Sequence, residues 1–288
     1  MAFKVFQSLW GMEELPSGEE EWSLAEKLQR VSDAGFDGVE VAWTPTLPIG
    51  KEALELIPEY GLERSIVCFP ATVDDFKGFA STFAELNPRH VNVQPNVRPF
   101  TVLEGVPLIL GWLEAAKDHG LTVYFETHRD RMTTDLRYTL QLIDAIPQMK
   151  LVADLSHYLV GEEFWWPIGD ADEAMIQRIL ARTHGYHGRV ASREQIQIPL
   201  NFPQNKQYVD LFLRWWEDGF RFWHQAAGPD DELIFVTELG PPWYAITGAD
   251  GRELSDRWEE AVLLKDHVSE IWARVDGAEP HSEGGLSR

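Results

Sequence analysis

The chain has 288 residues, 44% of them hydrophobic, which is enough for one large buried core. Its 47 acidic and 25 basic residues give a formal net charge of −22. A surface this negative repels phosphate backbones and anionic membranes, which argues against nucleic acid or a membrane as a partner. Because Cys68 is the single cysteine, the sequence excludes an intramolecular disulfide and a zinc site built from several cysteines.

The first residues, MAFKVFQSLW, lack the long apolar core and the small-residue cleavage site of a secretory signal. No stretch approaches the roughly 18 apolar residues of a membrane span. Together with the lone cysteine in the apolar run SIVCF, these features predict a soluble, unprocessed protein of the reducing cytoplasm.

Short apolar runs alternate with longer amphipathic runs almost from end to end of the chain. The predicted strands are 3–9, 37–43, 63–69, 90–96, 121–127, 150–155, 183–190 and 233–239. The predicted helices lie near 21–34, 51–60, 74–86, 102–119, 133–145, 171–181, 206–226 and 255–273. Eight strands that are each followed by a helix predict a closed (β/α)8 TIM barrel, with one domain over 1–275 and a flexible tail over 276–288.

Three predicted helices end at a glycine shortly before a strand, at Gly35, Gly61 and Gly120. Glycine at the end of a helix commonly takes the left-handed conformation and turns the chain back, so these positions predict helix-to-strand boundaries. The polar, proline-containing segment 191–205 is predicted to be a long loop that shapes a substrate site.

Four predicted strands finish on a residue that can bind a metal ion. These residues are Glu126 in VYFETHRD, Asp154 in LVADLSHY, His187 in THGYHGRV and Glu238 in LIFVTELG. The C-terminal ends of barrel strands meet on one face, so two glutamates, an aspartate and a histidine can converge there on a single ion. An oxygen-rich set favours Mn²⁺, with Mg²⁺ and Co²⁺ as alternatives and Zn²⁺ as a further one.

Two of the candidate ligands also have an interpretation without a metal. Glu126 can form a buried ion pair with Arg129 or Arg131. Asp154 can cap the following turn, which would leave His157 as an ordinary histidine. The argument for a metal therefore depends on the four residues occurring in order on the last four strands.

The segment around His187 also contains His184 and Arg189. Two histidines three residues apart face opposite sides of a straight strand, so we expect His187, nearer the C-terminal end, to face the interior. Arg189 is expected to hold a hydroxyl or an anionic group at the mouth. After Glu238, the Gly-Pro-Pro turn is expected to carry Trp243 and Tyr244 over the site, where an aromatic ring suits a sugar face.

With these segments the chain resembles the xylose isomerase-like TIM barrels, in particular the sugar isomerases and epimerases related to tagatose 3-epimerase. The resemblance covers nearly the whole chain and is carried by GFDGVEVAW, FETHRD around Glu126, Asp154 with His157, HGRV at His187 and TELG at Glu238. It implies that the four strand-end residues bind one divalent cation. It also implies that Glu126 and Glu238 are the acid and base of a proton transfer next to a carbonyl, through an enediolate.

The substrate contacts implied by the resemblance differ from the epimerase pattern at one position. Met132 stands where those enzymes often carry a further glutamate. A different ligand is therefore expected, with an acidic or keto group near His128 or Arg129. His157 is expected to face a substrate oxygen. Two more groups at strand ends are expected either to bind substrate hydroxyls or to cap loops: Glu40 at the second strand, and Gln94 with Asn96 at the fourth.

The predicted activity is that of a metal-dependent sugar isomerase or epimerase of carbohydrate metabolism. A lyase or deglycosidase at the same site is the alternative, and the pairs Trp165-Trp166 and Trp215-Trp216 leave room for a larger aromatic ligand. A phosphodiesterase like the AP endonucleases is disfavoured by the negative charge, and a non-catalytic barrel by the complete ligand set. The GPPW turn is not a phosphate cradle, so the expected ligand is a free sugar or polyol. A homo-oligomer is compatible with the sequence.

Overall fold

The protein is described here by a computed structural model over residues 1–44 and 48–277. Within these residues eight parallel strands close into a barrel in chain order, with the first strand paired to the last. The strands are β1 (Ala2–Ser8), β2 (Gly38–Trp43), β3 (Glu63–Cys68), β4 (Val91–Val93), β5 (Val123–Glu126), β6 (Leu151–Ala153), β7 (Thr183–Gly188) and β8 (Glu232–Thr237). The α-helices are α1 (Leu24–Asp33), α2 (Pro48–Leu56), α3 (Val73–Leu86), α4 (Val102–Asp118), α5 (Leu136–Ala145), α6 (Ser156–Gly161), α7 (Asp170–Leu180), α8 (Lys206–Ala226) and α9 (Arg257–Asp276).

The architecture confirms the predicted (β/α)8 TIM barrel. All eight predicted strands are present, although β4 and β6 have only three residues each. The short helix α6 was not predicted because six residues are too few to show a helical period. Of the predicted tail, residues 278–288 lie outside the described part of the chain. No helix among the described residues is long and apolar enough to cross a membrane.

Local sequence signals fix several of the boundaries between helices and strands. Ser23 and Glu26 form a reciprocal capping box at the start of α1, which satisfies backbone N–H groups that the helix leaves free. The three predicted glycine turns are confirmed, since Gly35, Gly61 and Gly120 have φ values of +71°, +71° and +67°. These turns return the chain to the sheet directly before β2, β3 and β5.

The main hydrophobic core lies between the strands and the surrounding helices. Trp215 and Trp216 of α8 are fully buried in it, and both pack against Phe212. This tryptophan pair is therefore core. The other pair is at the surface, with Trp165 72% and Trp166 45% exposed.

The polarity of the side chains inside the barrel changes along the barrel axis. Phe6, Ile234 and Val236 form a separate apolar cluster inside it. At the N-terminal rim, Lys4 of β1 pairs with Glu63 of β3 and with Glu232 of β8. Polar side chains fill the C-terminal half of the interior, and the candidate site is built there.

Candidate metal centre

Three of the four predicted ligands meet around the imidazole of His187. Its Nδ1 lies 3.4 Å from Oε1 of Glu126 and 3.1 Å from Oε2 of Glu238. Glu126 is the last residue of β5, Glu238 directly follows β8, and His187 is in β7. One ligand atom from each of the three lies within 4.8 Å of the other two. The chain therefore brings these strand ends together as the sequence predicts.

The carboxylate of Glu126 is held in place from one side. Its Oε2 accepts hydrogen bonds from Nδ2 of Asn92 at 2.6 Å and from Nε2 of Gln94 at 2.9 Å. Its Oε1 is fully buried and has no hydrogen-bond partner among the described residues. Since an unpaired buried carboxylate oxygen is costly, this geometry leaves one oriented acceptor for a cation or a ligand.

The ring of His187 is enclosed by carboxylates. Its Nε2 lies 2.7 Å from Oε1 of Glu40, on the side away from Nδ1. Burial alone would lower the pKa of His187, but the charges of Glu126, Glu238 and Glu40 outweigh burial and raise the pKa well above its usual value. For Glu40, burial acts in the raising direction, and the neighbouring imidazole outweighs it and lowers the pKa to about 2. The site is therefore strongly negative and attracts positive charge.

Glu238 is shared between His187 and Arg189. The guanidinium of Arg189 donates from Nη2 to Oε2 of Glu238, and its plane lies over the ring of Tyr244, 4.5 Å from the centroid. Burial would raise the pKa of Glu238, but His187 and Arg189 outweigh it and lower the pKa to about 2. Glu238 is thus ionised and fixed in orientation.

The fourth predicted ligand, Asp154, lies beside this group without joining it. Its Oδ1 accepts from the backbone N–H of Ser156 at 3.0 Å. Its Oδ2 faces Nε of Arg189 at 3.5 Å and Nε2 of His157 at 3.4 Å, and it makes no hydrogen bond within the described part of the chain. Burial raises the pKa of Asp154 to about 7. A buried carboxyl of this kind would be stabilised as an anion by a nearby cation.

A second group of potential ligands shares Glu126. It adds His128, two residues after Glu126, and His157, at the start of α6, with their ring centroids 4.0 Å apart. Burial is the main cause that lowers the pKa of both histidines, so both rings are neutral. Neither ring nitrogen of His157 has a hydrogen-bond partner among the described residues. These nitrogens can therefore serve a substrate oxygen or an ion.

The site opens into a cavity of about 230 Å³ at the C-terminal end of the barrel. Four residues from the sequence analysis line it: Gln94, His128, Arg189 and Glu238. The other predicted substrate-binding residues, Glu40, Asn96, His157 and Trp243, are not among those that line it. Asn96 is exposed beyond the end of β4, and Trp243 is 100% exposed and has a φ of +78°.

Of the two aromatic residues expected over the site after the Gly-Pro-Pro turn, Tyr244 lines the cavity and Trp243 does not. Arg131, which the sequence analysis considered only as an ion-pair partner of Glu126, lines it as well. Trp10 also lines the cavity and was missed. Asn92 was also missed, although it could have been found from the strand period. In HVNVQ the side chain of Asn92 falls on the same face as Gln94, two residues later.

The donor set fits a divalent cation. Bonds of about 2.1 Å to adjacent ligands around one ion place the ligand atoms roughly 3.0–3.4 Å apart. The separations of 3.1 and 3.4 Å around Nδ1 of His187 match this spacing. Among the described residues, Oε1 of Glu126, Nδ1 of His187 and Oδ2 of Asp154 are all buried without a hydrogen-bond partner. Two or three oxygens and one imidazole suit Mn²⁺, Mg²⁺ or Zn²⁺.

The sequence matches no protein-family model, and no curated protein matches it significantly. Similarity to solved structures is extensive. The D-psicose 3-epimerase of Clostridium cellulolyticum H10, solved with D-tagatose, has a TM-score of 0.62 and 12% identity over 93% of this chain and 99% of that one. A xylose isomerase-like TIM barrel protein of Mycobacterium smegmatis, in complex with magnesium, has a TM-score of 0.60 and 13% identity over 93% and 97% of the two chains.

The chain has the TIM-barrel fold of these structures. A third similar structure is that of AsbF, a probable 3-DHS dehydratase of Bacillus anthracis, with a TM-score of 0.56 and 15% identity over 91% of this chain and 98% of that one. The expected resemblance in fold is thereby confirmed over nearly the full length. At these identities the similarity establishes the fold alone, and the chemistry has to be argued from the residues of the site.

Proposed function

We propose that this protein is a divalent-metal-dependent sugar isomerase or epimerase that removes a proton next to a carbonyl group. The observation that carries the proposal is the arrangement of Glu126 and Glu238 around Nδ1 of His187, at 3.4 and 3.1 Å. The solved structures with this fold, among them an epimerase with a sugar and a barrel with magnesium, support the same assignment.

Glu126, His187 and Glu238 would hold the cation, with Asp154 as the fourth ligand. When bound, the ion would supply positive charge that polarises the substrate carbonyl and stabilises the negative charge that develops on its oxygen. We favour Mn²⁺ because the set is rich in carboxylates, and Mg²⁺, Co²⁺ and Zn²⁺ are the alternatives to be tested.

The chain's own residues prepare the two glutamates for proton transfer. Asn92 and Gln94 hold Oε2 of Glu126, which directs Oε1 toward the centre of the site. Arg189 keeps Glu238 ionised, so this carboxylate is ready to accept a proton from carbon. If Glu238 takes the proton and a protonated Glu126 delivers a second proton to the other face, the carbon is inverted. Delivery to the neighbouring carbon converts an aldose into a ketose.

The cavity favours a single free sugar or polyol as the substrate. Its volume of about 230 Å³ is smaller than that of most ligand pockets, which commonly span roughly 300–1,000 Å³. Gln94, His128, His157 and Arg189 would bind hydroxyl or carbonyl oxygens. Arg193, a basic residue in the segment after β7 that could hold a phosphate, lies over the ring of Trp165, 3.7 Å from its centroid. This placement supports an unphosphorylated ligand.

A lyase remains the second candidate function because one similar fold is that of a probable dehydratase. In this reaction the enediolate would expel a substituent from the adjacent carbon instead of being reprotonated. The same glutamates would act, and a neutral imidazole such as His128 could transfer a proton to the leaving group. The two functions are separated by the products.

The deciding experiment is NMR of a panel of ketoses, aldoses and keto-glycosides incubated in D₂O with the Mn²⁺-loaded protein. Deuterium should enter a carbon next to the carbonyl, and this exchange should be lost on chelation of the metal and in Glu238→Gln. The matched control is Glu114→Gln, on the exposed face of α4, which should exchange like the wild type. Release of a substituent would favour the lyase. A protein that binds its ion yet exchanges no sugar would contradict the proposed substrate class.

A further inference from the structure

The guanidinium group of Arg131 lines the cavity and is only partly used by the protein itself. Its Nε donates to Oε1 of Gln94 at 3.2 Å, and its Nη1 donates to the carbonyl oxygen of Asp130 at 3.0 Å. Nη2 makes no hydrogen bond among the described residues, and it is accessible rather than fully buried. A guanidinium carries five N–H donors in one plane, so the two on Nη2 are available to a ligand.

The Arg131 side chain is held in place although it faces the cavity. It is only 18% exposed, and its guanidinium lies over the ring of Phe69, 5.6 Å from the centroid. The amide of Gln94, which accepts from Arg131, donates from Nε2 to Oε2 of Glu126 at 2.9 Å. Arg131 is thus separated from Glu126 by a single amide group. A donor that is already fixed loses little freedom when it binds a ligand.

Positive charge exceeds negative charge around Arg131. The carboxylate of Asp130 is 71% exposed and is shared, at 3.5 Å from Nη1 of Arg131 and 3.3 Å from Nη1 of Arg98. Arg129 lies over the ring of Tyr244, 5.0 Å from the centroid, and forms no ion pair with a described residue. Three arginines therefore face one solvated carboxylate, in a chain whose net charge is −22. Arg98, Arg129 and Arg131 form an arginine rim at this side of the cavity.

The floor of the site has the opposite charge. Glu126 and Glu238 are almost completely buried, and Arg189, the other guanidinium of the cavity, is already occupied. Arg189 donates to Glu238, and its Nε faces Asp154 at 3.5 Å. The carboxylates of the floor would be offset by the proposed cation. A substrate with a carbonyl at one end and a negative group at the other therefore matches the charges of the site in one direction only.

We propose that the substrate is a sugar acid, whose carboxylate is bound by Arg131 while its carbonyl end lies at Glu126 and Glu238. This inference rests on the proposed isomerase or epimerase function and narrows its substrate class. Charge-assisted hydrogen bonds between a guanidinium and a carboxylate are short and strong. A phosphate monoester would bring about two negative charges and three acceptor oxygens, more than the two N–H groups on Nη2 can satisfy.

The test begins with calorimetric titrations of the Mn²⁺-loaded wild type, freed of excess ion, with three six-carbon ligands. Gluconate and glucitol differ only in a terminal carboxylate, and glucitol 6-phosphate carries a phosphate instead. We expect gluconate to bind about 10- to 100-fold more tightly than glucitol, which is the usual effect of a hydrogen bond to a charged group. This preference should shrink at high salt. Tighter binding of the phosphate than of gluconate would overturn the assignment of a carboxylate.

Variants of the arginine rim test whether Arg131 is responsible. Arg131→Gln keeps a donor for Gln94 and removes the charge, so gluconate and glucitol should bind with similar affinity. Arg131→Lys should retain part of the preference, because it keeps the charge and loses the planar group. Arg98→Gln is the matched control, since Arg98 pairs with the same Asp130 but does not line the cavity. An equal loss of affinity for both ligands in Arg131→Gln would show that Arg131 only supports Gln94, and would overturn the inference.

Deuterium exchange separates this inference from the proposed function. In 5-keto-D-gluconate a carboxylate replaces the terminal hydroxymethyl group of a ketohexose, so this acid should exchange faster than neutral ketohexoses in the wild type and lose the advantage in Arg131→Gln. Exchange of neutral ketohexoses, with gluconate bound no more tightly than glucitol, would overturn the inference alone. Gluconate bound through Arg131, with no exchange of any sugar or sugar acid, would overturn the proposed function and leave the carboxylate site standing.

Discussion

Replacement of Glu260 by glutamine should stabilise the protein at neutral and alkaline pH. Glu260 lies in the first turn of α9 and is only 6% exposed. Its Oε1 accepts the backbone N–H of Leu200 at 2.8 Å, and its Oε2 accepts the hydroxyl of Ser255 at 3.2 Å. Burial raises its pKa from 4.5 to about 7, because these two hydrogen bonds compensate only part of the lost hydration.

The size and sign of the effect follow from this shift. Below a pH of about 4.5 the side chain is protonated in both states and no penalty exists. As the pH rises toward about 7 the unfolded chain ionises first, so the folded protein loses stability over this window. A shift of about 2.5 pKa units, at about 1.4 kcal/mol each, corresponds to a total of roughly 3 kcal/mol. Most of it, about 2–3 kcal/mol, falls between about pH 5 and about pH 8.

The assay is urea unfolding of the metal-free wild type and Glu260→Gln at these two pH values. The stability of the variant relative to the wild type should increase by about 2–3 kcal/mol from the lower to the higher pH, whatever constant cost the substitution carries. Glu259→Gln is the matched control, since Glu259 is an exposed neighbour in the same helical turn, and its difference from the wild type should stay nearly constant. Parallel pH profiles for wild type and Glu260→Gln would refute the argument that burial raises the pKa of Glu260.

Three further outcomes are expected. Gly219→Ala should lower the free energy of unfolding by about 1–3 kcal/mol, because the added methyl carbon would lie 2.0 Å from the hydroxyl of Tyr186. Gly78→Ala should not lower it, since nothing in the described structure lies within 4 Å of the added carbon. Urea titration of both variants would measure the difference. Asn92→Ala should weaken Mn²⁺ binding about 10-fold by calorimetry, while Asn96→Ala at the exposed position should leave the affinity unchanged. Elemental analysis of the loaded protein should find one divalent ion per chain, because the two candidate groups share one glutamate; two ions would show that both groups are filled.

The alternation of strands and helices could be predicted from the sequence because apolar residues recur with a different period in each of the two elements. The convergence of Glu126, His187 and Glu238 was also predictable, since strand order places consecutive strand ends on one face. The depth of a residue in the barrel was harder to predict. Glu40 was placed among the groups that bind hydroxyls or cap loops, whereas its side chain is buried beside His187 and is not among the residues that line the cavity. The stagger between strands sets this depth, and one sequence does not show it.

Turn geometry limited the remaining predictions. The Gly-Pro-Pro segment correctly indicated a rigid turn, but the left-handed backbone of Trp243 directs its ring into solvent and leaves Tyr244 beside Arg189. A single residue of different backbone conformation therefore decides which of two adjacent aromatic rings reaches the cavity. The contact of Asp154 with Arg189 could not be predicted either, because it depends on the distance between the ends of β6 and β7.

The closure of the barrel has a consequence for the order in which the protein matures. Strand β8 pairs with β1 from Ala2 to Gln7, and Glu238 follows β8 directly. During synthesis β1 is made first, and its partner β8 is made more than two hundred residues later. A nascent or partly folded chain thus lacks one of the proposed metal ligands until β8 pairs with β1. Retention of the ion would then report completed folding, and an unfinished chain could not begin proton transfer.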